Sequence, residues 1–267
     1  MPLDPSAAAL LTAVEASPRA VTAHDKAAWI ELFVADAEVH DPVGSRPHIG
    51  RGAIARFYDT FIGPNTIAFR VERDLVHPPT VVRDLTIVTT MSTGATVVVP
   101  MHLRYRLVEE KGRWKIAHLA AHWELAAMIW QLLRTGPPGL GAALRLGPQL
   151  IANQGFGGAI GMMRAFGGVG RTGKRTTTRV FAAAASTDLP RVRGLLGPRA
   201  VVELPAGTPV PLEEFTNRAR NMRWNKVIAA GRTVTASIRL DDAHGVAVAE
   251  FTGAARIATL RFYLYAV

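Results

Sequence analysis

Residues 32–57, LFVADAEVHDPVGSRPHIGRGAIARF, contain the change of period that decides the fold. Trp29, Leu32 and Phe33 recur at helical spacing. From Asp36 onward the residues alternate, with Ala37, Val39 and Asp41 on one face and Glu38 and His40 on the other. This predicts a helix running directly into a strand. Pro42 and Gly44 end the strand, and Gly50-Arg51-Gly52 leads into a second helical run in which Ile54, Phe57 and Tyr58 share a face. Asp41 thereby falls on the face expected to be apolar. An unpaired carboxylate in such a place costs several kcal/mol, so the group should be either neutral or held for a purpose. The plain alternative is an Asp that starts a turn before Pro.

Outward from this stretch, helices are expected over Leu10–Val21 and Lys26–Phe33. Strands are expected at Ile67–Val71, Leu85–Met91, Ala95–Leu107 and Trp114–Trp123, with turns at Pro78-Pro79, Ser92-Thr93-Gly94 and Glu110-Lys111-Gly112. Helices first and an antiparallel meander afterwards is an α+β pattern, without the repeated crossovers of a parallel sheet. The chain's 267 residues and 49% hydrophobic content suffice for two modest domains or one large one.

A second pattern lies near the C-terminus. Asp188, Pro205 and Gly207 follow one another as Asp25, Pro42 and Gly44 do; 188 − 25, 205 − 42 and 207 − 44 are all 163. Val202 and Glu203 likewise stand where Val39 and His40 do, but Leu204 replaces Asp41. With strands expected at Thr233–Leu240, Val246–Phe251 and Ala258–Ala266, this reads as a second, degenerate copy that has lost the acid. The expected division is a first domain over 1–125, a Gly/Pro-rich basic linker with short helices over 126–175, and a second domain over 176–267. The two copies are expected to pack sheet against sheet as an intramolecular pseudo-dimer, with homo-oligomers also open to the chain.

The formal net charge is +10, and no acidic residue occurs between Leu125 and Thr187 while Arg134, Arg145, Arg164, Arg171, Lys174, Arg175 and Arg179 do. That concentration suits contact with another domain or with an anionic membrane surface. The uncharged run Leu146–Met163 is too broken by Gly and Pro for a membrane span. Nucleic acid is not expected, because no aromatic-rich strand motif or zinc spacing accompanies the charge. GVGRTGKR partly fits a dinucleotide fingerprint and a phosphate loop. Arg175 stands where a phosphate loop needs Ser or Thr, so the stretch reads as linker. The absence of cysteine excludes disulfides and thiolate chemistry. An N-terminus without the layout of a secretory signal points to the cytoplasm.

EVHDPVGSRP, followed by a Gly, an Ala-Ile pair and Phe57-Tyr58, resembles the ketosteroid isomerase family within the nuclear-transport-factor-2-like superfamily, which also includes polyketide cyclase-like members. The likeness runs from about Asp25 to Trp123. It implies a curved sheet wrapped as a cone round its N-terminal helices, in each copy, with a small hydrophobic ligand inside the first. By this resemblance Asp41 is a base that moves a proton beside a ketone, Tyr58 supports the hydrogen-bond network, and Phe57 and Trp123 line the pocket. Ser17 stands in place of the family's oxyanion Tyr, and His102 in place of its oxyanion Asp. His102 with Asp41 would suit a dehydratase instead, and loss of the oxyanion Tyr would suit a non-catalytic binding module.

Alternation puts Val99, Met101, Leu103 and Tyr105 opposite His102, Arg104 and Arg106, so His102 enters the pocket only if a bulge near Pro100 reverses the strand. Leu85, Ile87, Thr89 and Met91 share one face, as do Leu119, Ala121 and Trp123. These are the expected pocket wall, with ordinary filled core as the alternative. His118 and His122 would stand about 13 Å apart along a strand, at ~3.3 Å per residue, too far for one ion. No metal or other cofactor is expected, and no Ser-His-Asp arrangement is visible.

Overall fold

The computed structural model describes residues 5–137, 139, 141, 167–253 and 256–265. The chain divides into two compact units, one running to Phe166 and the other from Gly167.

The first unit opens with α1 (Pro5–Thr22) and α2 (Lys26–Glu31). Leu10, Val14, Ser17 and Val21 form the buried stripe of α1, at the three- and four-residue spacing of one helical face. Asp25 caps α2, its carboxylate accepting from the Ala28 backbone N–H at 2.8 Å. β1 (Phe33–His40) follows at once, β2 (His48–Ile49) pairs with it, and α3 (Gly50–Phe57) packs across it. Gly50 begins α3 at φ 77°, a conformation that costs glycine least. The Arg51 guanidinium donates to the Phe33 carbonyl at 2.8 and 3.2 Å, tying the start of α3 to the start of β1.

After α3 the helix widens into a π-helical turn, Tyr58–Ile62, then β3 (Thr66–His77), β4 (Thr80–Thr90), β5 (Thr96–Glu110) and β6 (Arg113–His122) form the meander. The sheet order is β2-β1-β6-β5-β4-β3. All neighbours are antiparallel except β1 and β6, which run parallel because the meander returns in the direction in which β1 left. The expected antiparallel meander is β3–β6, and β1 against β6 adds one parallel pair. β3 also continues past Val71 through a bulge between Val71 and Arg73; the charged run Glu72-Arg73-Asp74 had hidden that extension.

α4 (Leu125–Arg134) follows β6. The Gln131 side-chain amide donates to the Val98 carbonyl at 3.0 Å and accepts from the Val98 N–H, fixing α4 against β5. Residues 142–166, the middle of the Gly/Pro-rich stretch, lie outside the described residues, and with them the short helices and surface contact expected there. Among the described residues no helix is long and apolar enough to cross a membrane.

The second unit begins with α5 (Gly170–Ala185), so GRTGK forms the start of a helix where a linker was read. α6 (Leu189–Leu195), β7 (Leu196–Glu203), α7 (Leu212–Arg218), β8 (Arg223–Ala230), β9 (Thr233–Leu240), β10 (Ala243–Thr252) and β11 (Arg256–Leu264) follow. Their sheet is ordered β7-β11-β10-β9-β8, again with the first strand parallel to the last. The offset of 163 recurs at structural detail. Asp188 caps α6 as Asp25 caps α2, Thr187 (φ 57°) corresponds to His24 (φ 51°), and Gly207 (φ 84°) to Gly44 (φ 97°). The molecule is thus α+β with two separate sheets, each carrying its own apolar core.

Candidate active site

The first unit holds a cavity between the inner face of its sheet, the π-helical turn and α4. Its volume is about 160 Å³, an order of magnitude above the roughly 10–15 Å³ that one water requires, so this part of the interior is hollow. Asp41 lies just beyond β1, where Ala37 and Val39 have faced the core, and the alternation carries its side chain to the cavity. Phe57, Ile87, Thr89, Met91 and Trp123 line the same space.

The Trp123 indole N–H donates to Asp41 Oδ1 at 2.6 Å, the one hydrogen bond given to that carboxylate among the described residues. Burial pushes Asp41 up from the ordinary carboxylate range to about 6, and the Trp123 bond pulls in the opposite direction. A folded-state value above the unfolded one means that the native chain binds the proton more tightly. The resulting stability is present below about pH 4 and is lost as pH rises to about 6, by up to about 3 kcal/mol, less where water reaches the group. Thermal unfolding across this window should show that fall in wild type, and Asp41→Asn should flatten it. Trp123→Phe removes the donor and should move the titration to higher pH, as followed by carboxyl carbon NMR.

The other expected site residues are not gathered at the cavity. Leu85, Leu119 and Ala121 have the right parity but pack in the filled part of the core, as alternation fixes a face and not a depth. Ser17 is buried, accepting from the Trp29 indole N–H at 3.0 Å and hydrogen-bonded to Tyr105, whose phenol burial pushes up to about 12. Tyr58 is buried against Trp29 at a ring separation of 5.5 Å, and its hydroxyl has no hydrogen-bond partner among the described residues. It is not among the residues that line the cavity.

His102 lies on the other face of the sheet. The β4–β5 register runs unbroken through Pro100, so no bulge turns it inward, and Val99 and Met101 line the cavity in its stead. Its Nε2 lies 3.4 Å from Asp84 Oδ1, with both side chains buried, and His122 is its opposite number on β6. This geometry corrects the pairing of His102 with Asp41. His122 is also buried, and desolvation holds its imidazole well below the usual histidine value.

Sequence reasoning missed the near end of the cavity. The π-helical turn supplies Thr60, Phe61 and Ile62, the segment after it Pro64 and Asn65, the β4–β5 turn Ser92 and Thr93, and α4 Met128. The Thr93 hydroxyl is buried without a hydrogen-bond partner among the described residues. The arrangement joins one carboxyl group of raised pKa, one fixed indole donor and a largely apolar wall.

Residues 14–118 match the SnoaL-like domain family. No curated protein matches the chain. Among solved structures, a Δ5-3-ketosteroid isomerase from Mycobacterium sp. is 30% identical, aligned over 45% of this chain and 95% of its own, with a TM-score of 0.41. A Mycobacterium tuberculosis protein in complex with estradiol-17β-hemisuccinate is 27% identical over 44% of this chain and 95% of its own, with a TM-score of 0.40. A putative polyketide cyclase from Xanthomonas campestris pv. campestris is 18% identical over 47% and 98%, with a TM-score of 0.42.

Proposed function

Since residues 14–118 make this chain a member of the SnoaL-like family, within the nuclear-transport-factor-2-like superfamily, we propose that its first unit binds a hydrophobic carbonyl compound, steroid- or polyketide-like in character, and moves a proton on it. The observation that carries this reading is the Asp41 carboxyl group, set in an apolar cavity, held by Trp123 and raised to about 6. Ionised above that pH, Asp41 takes a proton from the carbon beside the carbonyl. The C–H electron pair moves toward the carbonyl oxygen as an enolate, and the carboxylic acid so formed returns its proton to another carbon of the conjugated system. Trp123 keeps the carboxyl group in one orientation throughout, and the apolar wall excludes competing water. The Thr93 hydroxyl, without a hydrogen-bond partner among the described residues, offers a hydrogen bond to a ligand oxygen.

A second reading is a binding module without catalysis. It is favoured by the burial of Ser17 between Trp29 and Tyr105, and by the outward placement of His102. Neither positions that the resemblance associates with oxyanion stabilisation reaches the cavity. Incubation with a β,γ-unsaturated cyclic ketone in deuterium oxide separates the readings. Enzymatic turnover is expected to give the conjugated ketone and deuterium at the exchanging carbon, with a rate that rises through about pH 6 as Asp41 ionises. Saturable binding without exchange would leave the binding module.

A further inference from the structure

The side of the sheet turned away from the cavity carries a cluster that the proton-transfer reading does not use. Glu38 and His40 are two residues apart on β1 and so point to the same face. In the parallel ladder Glu38 stands directly opposite His118 of β6. His40 Nε2 approaches Glu38 Oε2 at 3.3 Å, and the His40 and His118 rings lie 4.9 Å apart, tilted by 36°. One potential ligand atom from each of the three residues falls within 4.8 Å of the other two.

From this geometry we propose that Glu38, His40 and His118 form a binding site for a divalent transition-metal ion of the zinc class, with the fourth position left to solvent or an anion. Bonds of about 2.0–2.1 Å to a tetrahedral ion separate neighbouring ligand atoms by about 3.3 Å. The Glu38–His40 pair already stands at that distance, and side-chain rotation about His118 closes the remaining gap of at most about 1.5 Å. Two imidazoles and a carboxylate suit zinc, cobalt, nickel or copper better than magnesium or calcium, which take oxygen ligands. Glu38 and both histidines are partly exposed, so an ion enters from solvent without rearrangement of the strands.

A simple surface ion pair between Glu38 and His40 would need no third member and would not call for His118 against the His40 ring. The neighbouring charges set a direction as well. Arg104 and Arg106 act on His118 from the adjoining strand, where Arg106 is its register partner. They oppose a bare dication and favour an anionic fourth ligand, such as hydroxide or a carboxylate, once the ion is seated. The sequence expectation had weighed His118 only against His122, along one strand. The partners come instead from β1, across the ladder.

Cobalt(II) titrated into the untagged full-length chain provides the test, because four-coordinate cobalt absorbs visibly and independently of any turnover. One ion per chain is expected, and His40→Ala, His118→Ala and the shape-preserving Glu38→Gln should each weaken binding by at least ~10-fold, as even loss of an outer-shell partner does. Far-UV circular dichroism and thermal melts of the metal-free variants verify that they are folded. His48→Ala and His122→Gln should leave the titration unchanged. Absence of a stoichiometric cobalt signal, or its survival in folded His118→Ala or Glu38→Gln, overturns the proposal.

Discussion

Asp41→Asn is expected to lower proton exchange on a β,γ-unsaturated ketone by a factor of at least about one hundred while leaving the ketone's affinity within a few-fold of wild type. Asn keeps the size of Asp and an oxygen able to accept from the Trp123 indole, so the cavity wall and its one fixed donor survive. Only basicity is lost. The effect should fall on kcat and on kcat/KM alike, the signature of a group that acts in the transition state rather than in ground-state binding. The substitution should also stabilise the fold above about pH 6, since wild type ionises a buried carboxyl group there and the variant does not. A variant both inactive and unstable would therefore contradict the account, and an Asp41→Asn protein with wild-type exchange rates would remove Asp41 as the base.

Trp29→Ala should cost about 3–5 kcal/mol of stability, the range for deleting a large aromatic from a core. Trp29 is only 2% exposed and stands at the meeting of three rings: Phe33 at 4.8 Å, Phe57 at 6.3 Å and Tyr58 at 5.5 Å. Removing it opens a void beside Phe57, which lines the cavity, and leaves Ser17 without its indole donor. Trp29→Phe restores most of the packing and loses the N–H, so it should cost only about 1–2 kcal/mol. Urea unfolding measures both. A loss below about 1 kcal/mol for Trp29→Ala would mean that the ring cluster is not the anchor of this core.

Much of the first unit was legible because its signals are local. The passage from helix to strand, which the structure places at Phe33 and the alternation had placed after Asp36, and the turns after Thr90 and Glu110 each act over a few residues, and the alternation that puts Asp41 with Val39 survives into the cavity. What was not legible depends on pairing between distant segments or on depth. Trp123 was read as a pocket wall, but its bond to Asp41 spans 82 positions and needs the parallel β1–β6 register. Leu85 and Ile87 share a face, yet only Ile87 reaches the hollow part, because depth along β4 is set by what packs above it. The π-helical turn left no mark, since Tyr58–Ile62 reads as a continuation of α3. Met128 was overlooked because its segment had been assigned to a linker.

If the second unit is a copy of the first, Leu204 at the offset of 163 from Asp41 has a consequence for how the two units vary over evolutionary time. Leu204 is fully buried among Val202, Phe215 and Phe262, filling interior where the first unit keeps an acid beside open space. A lineage that must retain Asp41 cannot accept the mutations that would most readily stabilise its surroundings, those that fill the cavity or neutralise the carboxyl group. No such veto applies around Leu204. The second unit is therefore free to accumulate stabilising changes and to tolerate others at random, whereas the first should drift slowly near its cavity and sit closer to its stability threshold.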